Sequence, residues 1–280
     1  MLEIREVSFS YPGQSPALNK VSVSIAPGEF IGLAGRNGSG KTTLTRLMVG
    51  LTKPAAGQVL LDGKPAQDCG PAVMARSVGY VFQNPDRQIF RDTVATEVAY
   101  GPEQMDWNET ERQAAVADAL SMTGLTELAD AYPRGLARSF RQKVAIASAL
   151  ALRPRLLILD EPTSGQDEEE KQQLMQLLGD LNRRGLGVIL VTHDMELLLE
   201  HTRRTIVLHH GEKVFDGPTI GLFADPARDV GVWGLRVPDA AAVAGKLTKI
   251  KISVRSMEEL AVGIQKHRGG KPDEEPGASV

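Results

Sequence analysis

Two short segments carry side chains suited to holding a nucleoside triphosphate. Residues 35–42 read GRNGSGKT. Gly35, Gly38 and Gly40 let backbone N–H groups curl around a β-phosphate, and the helix expected to follow adds positive potential at its N-terminus. Lys41 reaches the β- and γ-oxygens, and the Thr42 hydroxyl can ligate Mg²⁺. Arg36, Asn37, Ser39 and Thr43 complete the residues expected against the nucleotide. A glycine-rich turn that only caps a helix would need neither the lysine nor the hydroxyl. The second segment is LLILDE, residues 156–161. Asp160 ends an apolar run and would hold Mg²⁺, directly or through water. Glu161, one residue on, points elsewhere and can orient an attacking water or accept its proton. The blander alternative is an acid pair that keeps the strand edge soluble.

These groups need a scaffold, and the pattern of the chain supplies one. FIGLAG, residues 30–35, reads as a buried strand running straight into the glycine loop. KTTLTRLMVGL has helical apolar spacing at Leu44, Leu47, Met48 and Leu51. Further strands are expected near 3–9, 21–25, 57–64 and 77–83, then at RLLILDEP and LGVILVTHD. A helix is expected over 168–184, and TIVLHHGEKVF reads as a hairpin turning at His-Gly. Apolar strands alternating with helices predict an α/β fold with a largely parallel sheet covered on both faces. Residues 93–153 break that rhythm and read as an inserted helical subdomain.

GRNGSGKT, VFQNPDRQIF, LLILDEPTSGQD and VILVTHD, in that order, closely resemble the nucleotide-binding subunit of ABC transporters over about residues 1–225. The resemblance implies a P-loop NTPase fold of ABC type, with an inserted helical subdomain and a small C-terminal accessory module. It implies that Tyr11 stacks on adenine, that Gln83 senses Mg²⁺ and the membrane partner, and that His193 contacts the γ-phosphate. It also implies two subunits sandwiching two ATP molecules head to tail, with Asp167 in the loop between them. QNPDRQIF and the short C-terminal module look most like the ATPases of energy-coupling factor transporters, including those for vitamins and for cobalt or nickel. By that resemblance, the segment after Gln83 lines a groove for a coupling helix of a transmembrane partner.

One motif departs from the family. Where L-S-G-G-Q is usual, the flanking YP and QKVAIASAL fix the frame without a gap. Leu136 matches, but Ala137 stands for serine, Arg138 and Ser139 for the two glycines, and Phe140 for glutamine. In the family those groups reach the γ-phosphate on the opposite subunit. Ala137 has no hydroxyl to offer, and Arg138 and Phe140 bring bulk where close approach is wanted. Arg138 and Arg141 are the cations on hand to compensate. The expected consequence is a heterodimer: ATP on this chain's own loop meets an intact motif from a partner, while residues 137–140 serve the partner's ATP poorly.

Composition narrows the remaining classes. The 280 residues carry a formal net charge of −3, so no global basic field points to nucleic acid. The sole cysteine, Cys69, forbids an internal disulfide and suits a reducing compartment. MLEIREVSFS alternates rather than forming an apolar run, so no signal peptide is expected, and no 18-residue apolar stretch occurs. The expected location is peripheral, on the cytoplasmic face of the membrane, with integral coupling and substrate-binding subunits as partners. A soluble ABC-type ATPase outside transport, or a regulatory ATP-binding module, is the alternative. Residues 226–266 are expected to form the accessory module, as strand then helix, and 267–280 a disordered tail.

Overall fold

The computed structural model describes residues 1–225, 228–247 and 254–268. Its strands are β1 (Leu2–Ser10), β2 (Pro16–Ile25), β3 (Phe30–Ala34), β4 (Ala56–Leu61), β5 (Lys64–Pro65), β6 (Val78–Val81), β7 (Leu156–Asp160), β8 (Gly187–Val191), β9 (Arg204–His209) and β10 (Glu212–Pro218). Its α-helices are α1 (Lys41–Met48), α2 (Ala66–Cys69), α3 (Pro71–Ser77), α4 (Val94–Glu103), α5 (Glu109–Thr123), α6 (Arg138–Leu150), α7 (Glu168–Arg183), α8 (Met195–His201), α9 (Thr219–Ala224), α10 (Asp239–Lys246) and α11 (Met257–Arg268). The strand expected over residues 248–253, the break expected at Pro226, and residues 269–280 of the expected tail lie outside the described residues.

Six strands form the central sheet in the order β10-β9-β3-β8-β7-β6. Only the β9–β10 hairpin at its edge is antiparallel. That hairpin turns on two residues, His210 and Gly211, both at positive φ (48° and 79°), as a two-residue turn between twisted strands requires. The inner strands β3, β7 and β8 are buried at every position, which is why they read as unbroken apolar runs. Their side chains still alternate. Leu157 and Leu159 enter one core with α5 and α6, while Leu156 and Ile158 enter a second core with α1 and the N-terminal strands. Asp160 shares the face of Ile158 and therefore looks toward α1.

The N-terminal strands do not extend this sheet. They form a separate antiparallel one, ordered β2-β1-β4-β5, with Leu2 opposite both Ile25 and Leu61. Leu2, Ile4 and Val7 point inward from β1 to close the second core. The half-buried alternation of these strands was visible, but their separation into another layer depends on pairings between distant segments.

Within residues 93–153 three helices pack together, with Val94, Val98, Ala119, Leu120, Val144 and Ile146 on their shared core. Side chains start α4, α5 and α7 through reciprocal capping by Thr93 and Thr96, Asn108 and Glu111, and Asp167 and Glu170. At the C-terminal end, α10 and α11 share a small core of Ala240, Val254 and Leu260. This end is tied to α8: the Asp239 N–H donates to Glu196, and Arg255 donates to the Thr202 carbonyl at 2.7 Å.

Candidate functional site

The carboxyl ends of β3, β7 and β8 lie side by side, so whatever follows each strand meets at one edge of the sheet. After β3 the loop of residues 35–40 turns into α1. Two of its glycines answer to packing. A Cβ on Gly35 (φ 143°) would stand 2.2 Å from the Leu208 carbonyl oxygen, and one on Gly40 (φ 104°) 2.6 Å from that of Ala17. The loop is thus pressed between β9 and β2. Gly38, by contrast, opens onto free space. Ser39 Oγ is buried without a hydrogen-bond partner among the described residues, as an atom waiting for a phosphate oxygen would be. The buried Lys41 ammonium donates to the carbonyls of Gly35 (2.7 Å) and Arg36 (3.0 Å). Burial pushes its pKa down, opposed by the carboxylates of Glu161 and Asp160.

Asp160 and Thr42, 118 residues apart in sequence, meet directly: the Thr42 hydroxyl donates to Asp160 Oδ2 at 3.1 Å. Glu161 follows with φ 49°, a left-handed conformation uncommon for a residue with a Cβ. Its N–H is still held by the Val191 carbonyl at 2.9 Å, so the kink redirects the side chain without freeing the backbone. The redirected carboxylate makes a close contact with His193 Nδ1, just past β8. The acid is largely buried and the ring largely exposed. A carboxylate held against an imidazole beside a lysine and a hydroxyl-carboxylate pair can position a nucleophilic water and balance charge at a phosphate.

The other expected residues fall around this centre. Tyr11 stands beside the start of α1, its hydroxyl 3.2 Å from Thr43 Oγ1 and its ring edge-on to Phe9. Arg36 and Asn37 are exposed on the loop. A Cβ on Gly234 would fall 2.0 Å from Arg36 Cγ, so the C-terminal segment abuts the phosphate loop, a contact no local pattern announced. Gln83, exposed just after β6, makes no side-chain hydrogen bond among the described residues. Asp167 is the N-cap of α7 and accepts from the Glu170 N–H at 2.9 Å. Sequence reasoning missed Tyr80, whose hydroxyl also donates to Asp160.

Comparison with known proteins decides the family of the chain. The sequence pattern of the ABC transporter family matches residues 18–164. The chain belongs to the ABC transporter family. It is 41% identical over 251 residues to a protein described as an ABC transporter ATP-binding protein in Methanosarcina acetivorans, covering 90% of this chain and 41% of that relative. The chain therefore spans less than half the length of that relative. It is 36% identical over 249 residues to the energy-coupling factor transporter ATP-binding protein of Methanothermobacter thermautotrophicus, covering 88% and 80% of the two chains. The structure of CbiO1 from Clostridium perfringens, part of the CbiONQ transporter complex, superposes with a TM-score of 0.75 at 32% identity, over 86% of this chain and 97% of that one.

Within this ABC fold the altered motif opens α6. Ala137 is the N-cap and gives the helix no side-chain cap. Arg138 lies along Gly165 of its own chain: a Cβ there would meet the guanidinium carbon at 3.5 Å. Phe140 is partly exposed, with the Lys143 ammonium 5.3 Å from its ring centre. Arg141 is not a spare cation. It donates to the Leu136 carbonyl at 2.6 Å and ion-pairs with Asp86 at 2.8 Å. In this arrangement its guanidinium is engaged within its own subunit.

Beside the candidate site lies an apolar groove of about 760 Å³, lined among others by Leu51, Tyr80, Phe82, Phe90, Tyr100 and Leu152. Gln88 and Phe90 form part of its wall, and residues 88–91 are latched from three sides. Gln88 donates to the Ala145 carbonyl, Arg134 donates to that of Ile89, and buried Glu97 accepts the N–H groups of Phe90 (2.8 Å) and Arg91 (2.7 Å). Glu97→Ala leaves two backbone donors without their acceptor and is expected to cost about 1–3 kcal/mol. A urea midpoint that drops accordingly supports the latch, and an unchanged midpoint means that solvent replaces it.

Proposed function

We propose that the chain is the ATP-binding and ATP-hydrolysing subunit of a membrane transporter of energy-coupling factor type, taking up a vitamin or cobalt or nickel. The carrying observation is the 3.1 Å contact between Thr42 and Asp160, with Glu161 and His193 beside it. A hydroxyl and a carboxylate are the hard oxygen donors that Mg²⁺ prefers, so Thr42 and Asp160 would hold it. Held there with ATP, magnesium supplies positive charge to the phosphate oxygens. Glu161 orients the attacking water and takes up its proton, while Lys41 and His193 offset negative charge at the γ-phosphate. Tyr11 supports the base, and Gln83 links the site to the groove.

In this reading residues 1–225 are the ATPase core, with the helical subdomain at about 93–153, and residues 226–266 are an accessory module. No described helix is long and apolar enough to cross a membrane, in keeping with a peripheral subunit on the cytoplasmic face. Its groove receives an integral coupling subunit, which works with a substrate-binding subunit. The altered residues 137–140 favour a second, different ABC ATPase as the dimer partner. The names of the energy-coupling factor relative and of CbiO1 support the transport class. Lys41→Ala tests the base of the reading: equilibrium binding of a fluorescent ATP analogue is expected to weaken about 10- to 100-fold, the loss of hydrogen bonds from a charged group. Native affinity in that variant would place the nucleotide elsewhere.

A further inference from the structure

The apolar stretch SVGYVF, residues 77–82, contains one polar group aimed at the site. β6 runs parallel to β7 with Tyr80 opposite Ile158. Tyr80 and Asp160 therefore share a face, offset by two residues, and a side chain as long as tyrosine spans that diagonal. Its hydroxyl lies 3.1 Å from Asp160 Oδ2 and 3.4 Å from Thr45 Oγ1. The Thr42 hydroxyl reaches the same Oδ2, also at 3.1 Å. An ionised carboxylate only accepts, so both hydroxyls donate. Among the described residues no hydrogen-bond donor reaches Oδ1 of Asp160. The Tyr80 ring is itself held, edge-on to Phe82 at 4.9 Å and packed against the core beneath α1.

We propose that Tyr80 is a positioning residue for the magnesium–nucleotide complex: its hydroxyl fixes Oδ2 of Asp160 and so presents Oδ1 to the cation. This rests on the reading of Asp160 as a magnesium-holding residue. A donor on a rigid ring sets the rotation of the carboxylate about its Cβ–Cγ bond, which Thr42 alone, itself expected to reach the cation, does not.

The test uses the full chain and a fluorescent ATP analogue, with binding followed in EDTA and across a MgCl₂ titration. Tyr80→Phe removes one hydroxyl and keeps the ring. It is expected to raise the Mg²⁺ midpoint about 10- to 100-fold, the scale seen when a partner of a metal ligand is lost, and to leave affinity in EDTA as it was. Tyr80→Met, apolar and of similar reach, is read in the same way should the phenylalanine variant not fold. Asp160→Asn runs beside them. A midpoint that moves in Asp160→Asn but not in the Tyr80 variants overturns the role of Tyr80 alone. A midpoint unmoved in all of them overturns the magnesium reading of Asp160, and the Tyr80 role with it. Equal losses in EDTA and in Mg²⁺ make Tyr80 a packing residue and also overturn the proposal.

Discussion

Glu161→Gln is expected to bind ATP as the native chain does and to turn it over about 100- to 10,000-fold more slowly, the contribution of a positioned general base. The substitution keeps the shape and removes the charge. Its effect on binding is expected to be small because a carboxylate offers no donor to phosphate, and the proposed contacts to ATP come from residues 35–43. Its effect on turnover is large because the structure commits this carboxylate to one direction. The left-handed backbone at Glu161 costs on the order of 1–3 kcal/mol and persists because the Val191 carbonyl holds the N–H and His193 meets the side chain. Asp160, one residue earlier, keeps extended geometry and faces α1. Two adjacent acids thereby point in different directions, as the proposed division between cation and water requires. Parallel measurement of analogue binding and phosphate release checks this. Native phosphate release would remove Glu161 from the mechanism.

Much of this site was legible because its parts are local. A strand, a glycine loop and a helix start occupy residues 30–48, as the order of residue types predicts. Asp160 and Glu161 could be separated in role because one ends a strand and the next lies beyond it. The His-Gly turn of the β9–β10 hairpin was readable for the same reason. What could not be read depends on register between distant strands or on burial of single polar groups. Tyr80 sits in an apolar run, and only the β6–β7 register brings its hydroxyl to Asp160. Glu97 looks like any acid on a helix until its position above Phe90 and Arg91 is known. Gly35 and Gly40 were assigned to phosphate approach, yet carbonyls of Leu208 and Ala17 exclude a Cβ at both. Arg141 looked available and is occupied by Asp86 and Leu136.

The altered motif at residues 137–140 bears on the central claim, that this chain's own ATP site is complete for hydrolysis but waits for donors from a different subunit. Ala137 brings no hydroxyl to a facing γ-phosphate. Arg138, folded along Gly165 of its own chain, occupies space that glycine would leave open. Arg141 is engaged within its own subunit. A lost hydrogen bond to a charged group is worth about 1.5–3 kcal/mol, or about 10- to 150-fold in an equilibrium. Two copies of this chain, facing each other, would both suffer that loss. On the proposed reading, the set of Lys41, Asp160, Glu161 and His193 is used when another subunit supplies what residues 137–140 do not.

The decisive measurement is steady-state ATP turnover by the purified chain alone, native against the variant carrying Ala137→Ser, Arg138→Gly, Ser139→Gly and Phe140→Gln. A native chain that is nearly silent and a restored chain faster by about 10- to 150-fold is the expected result, and places the deficit in this motif. A native chain already turning over at the restored rate contradicts the account and makes a homodimer the working unit.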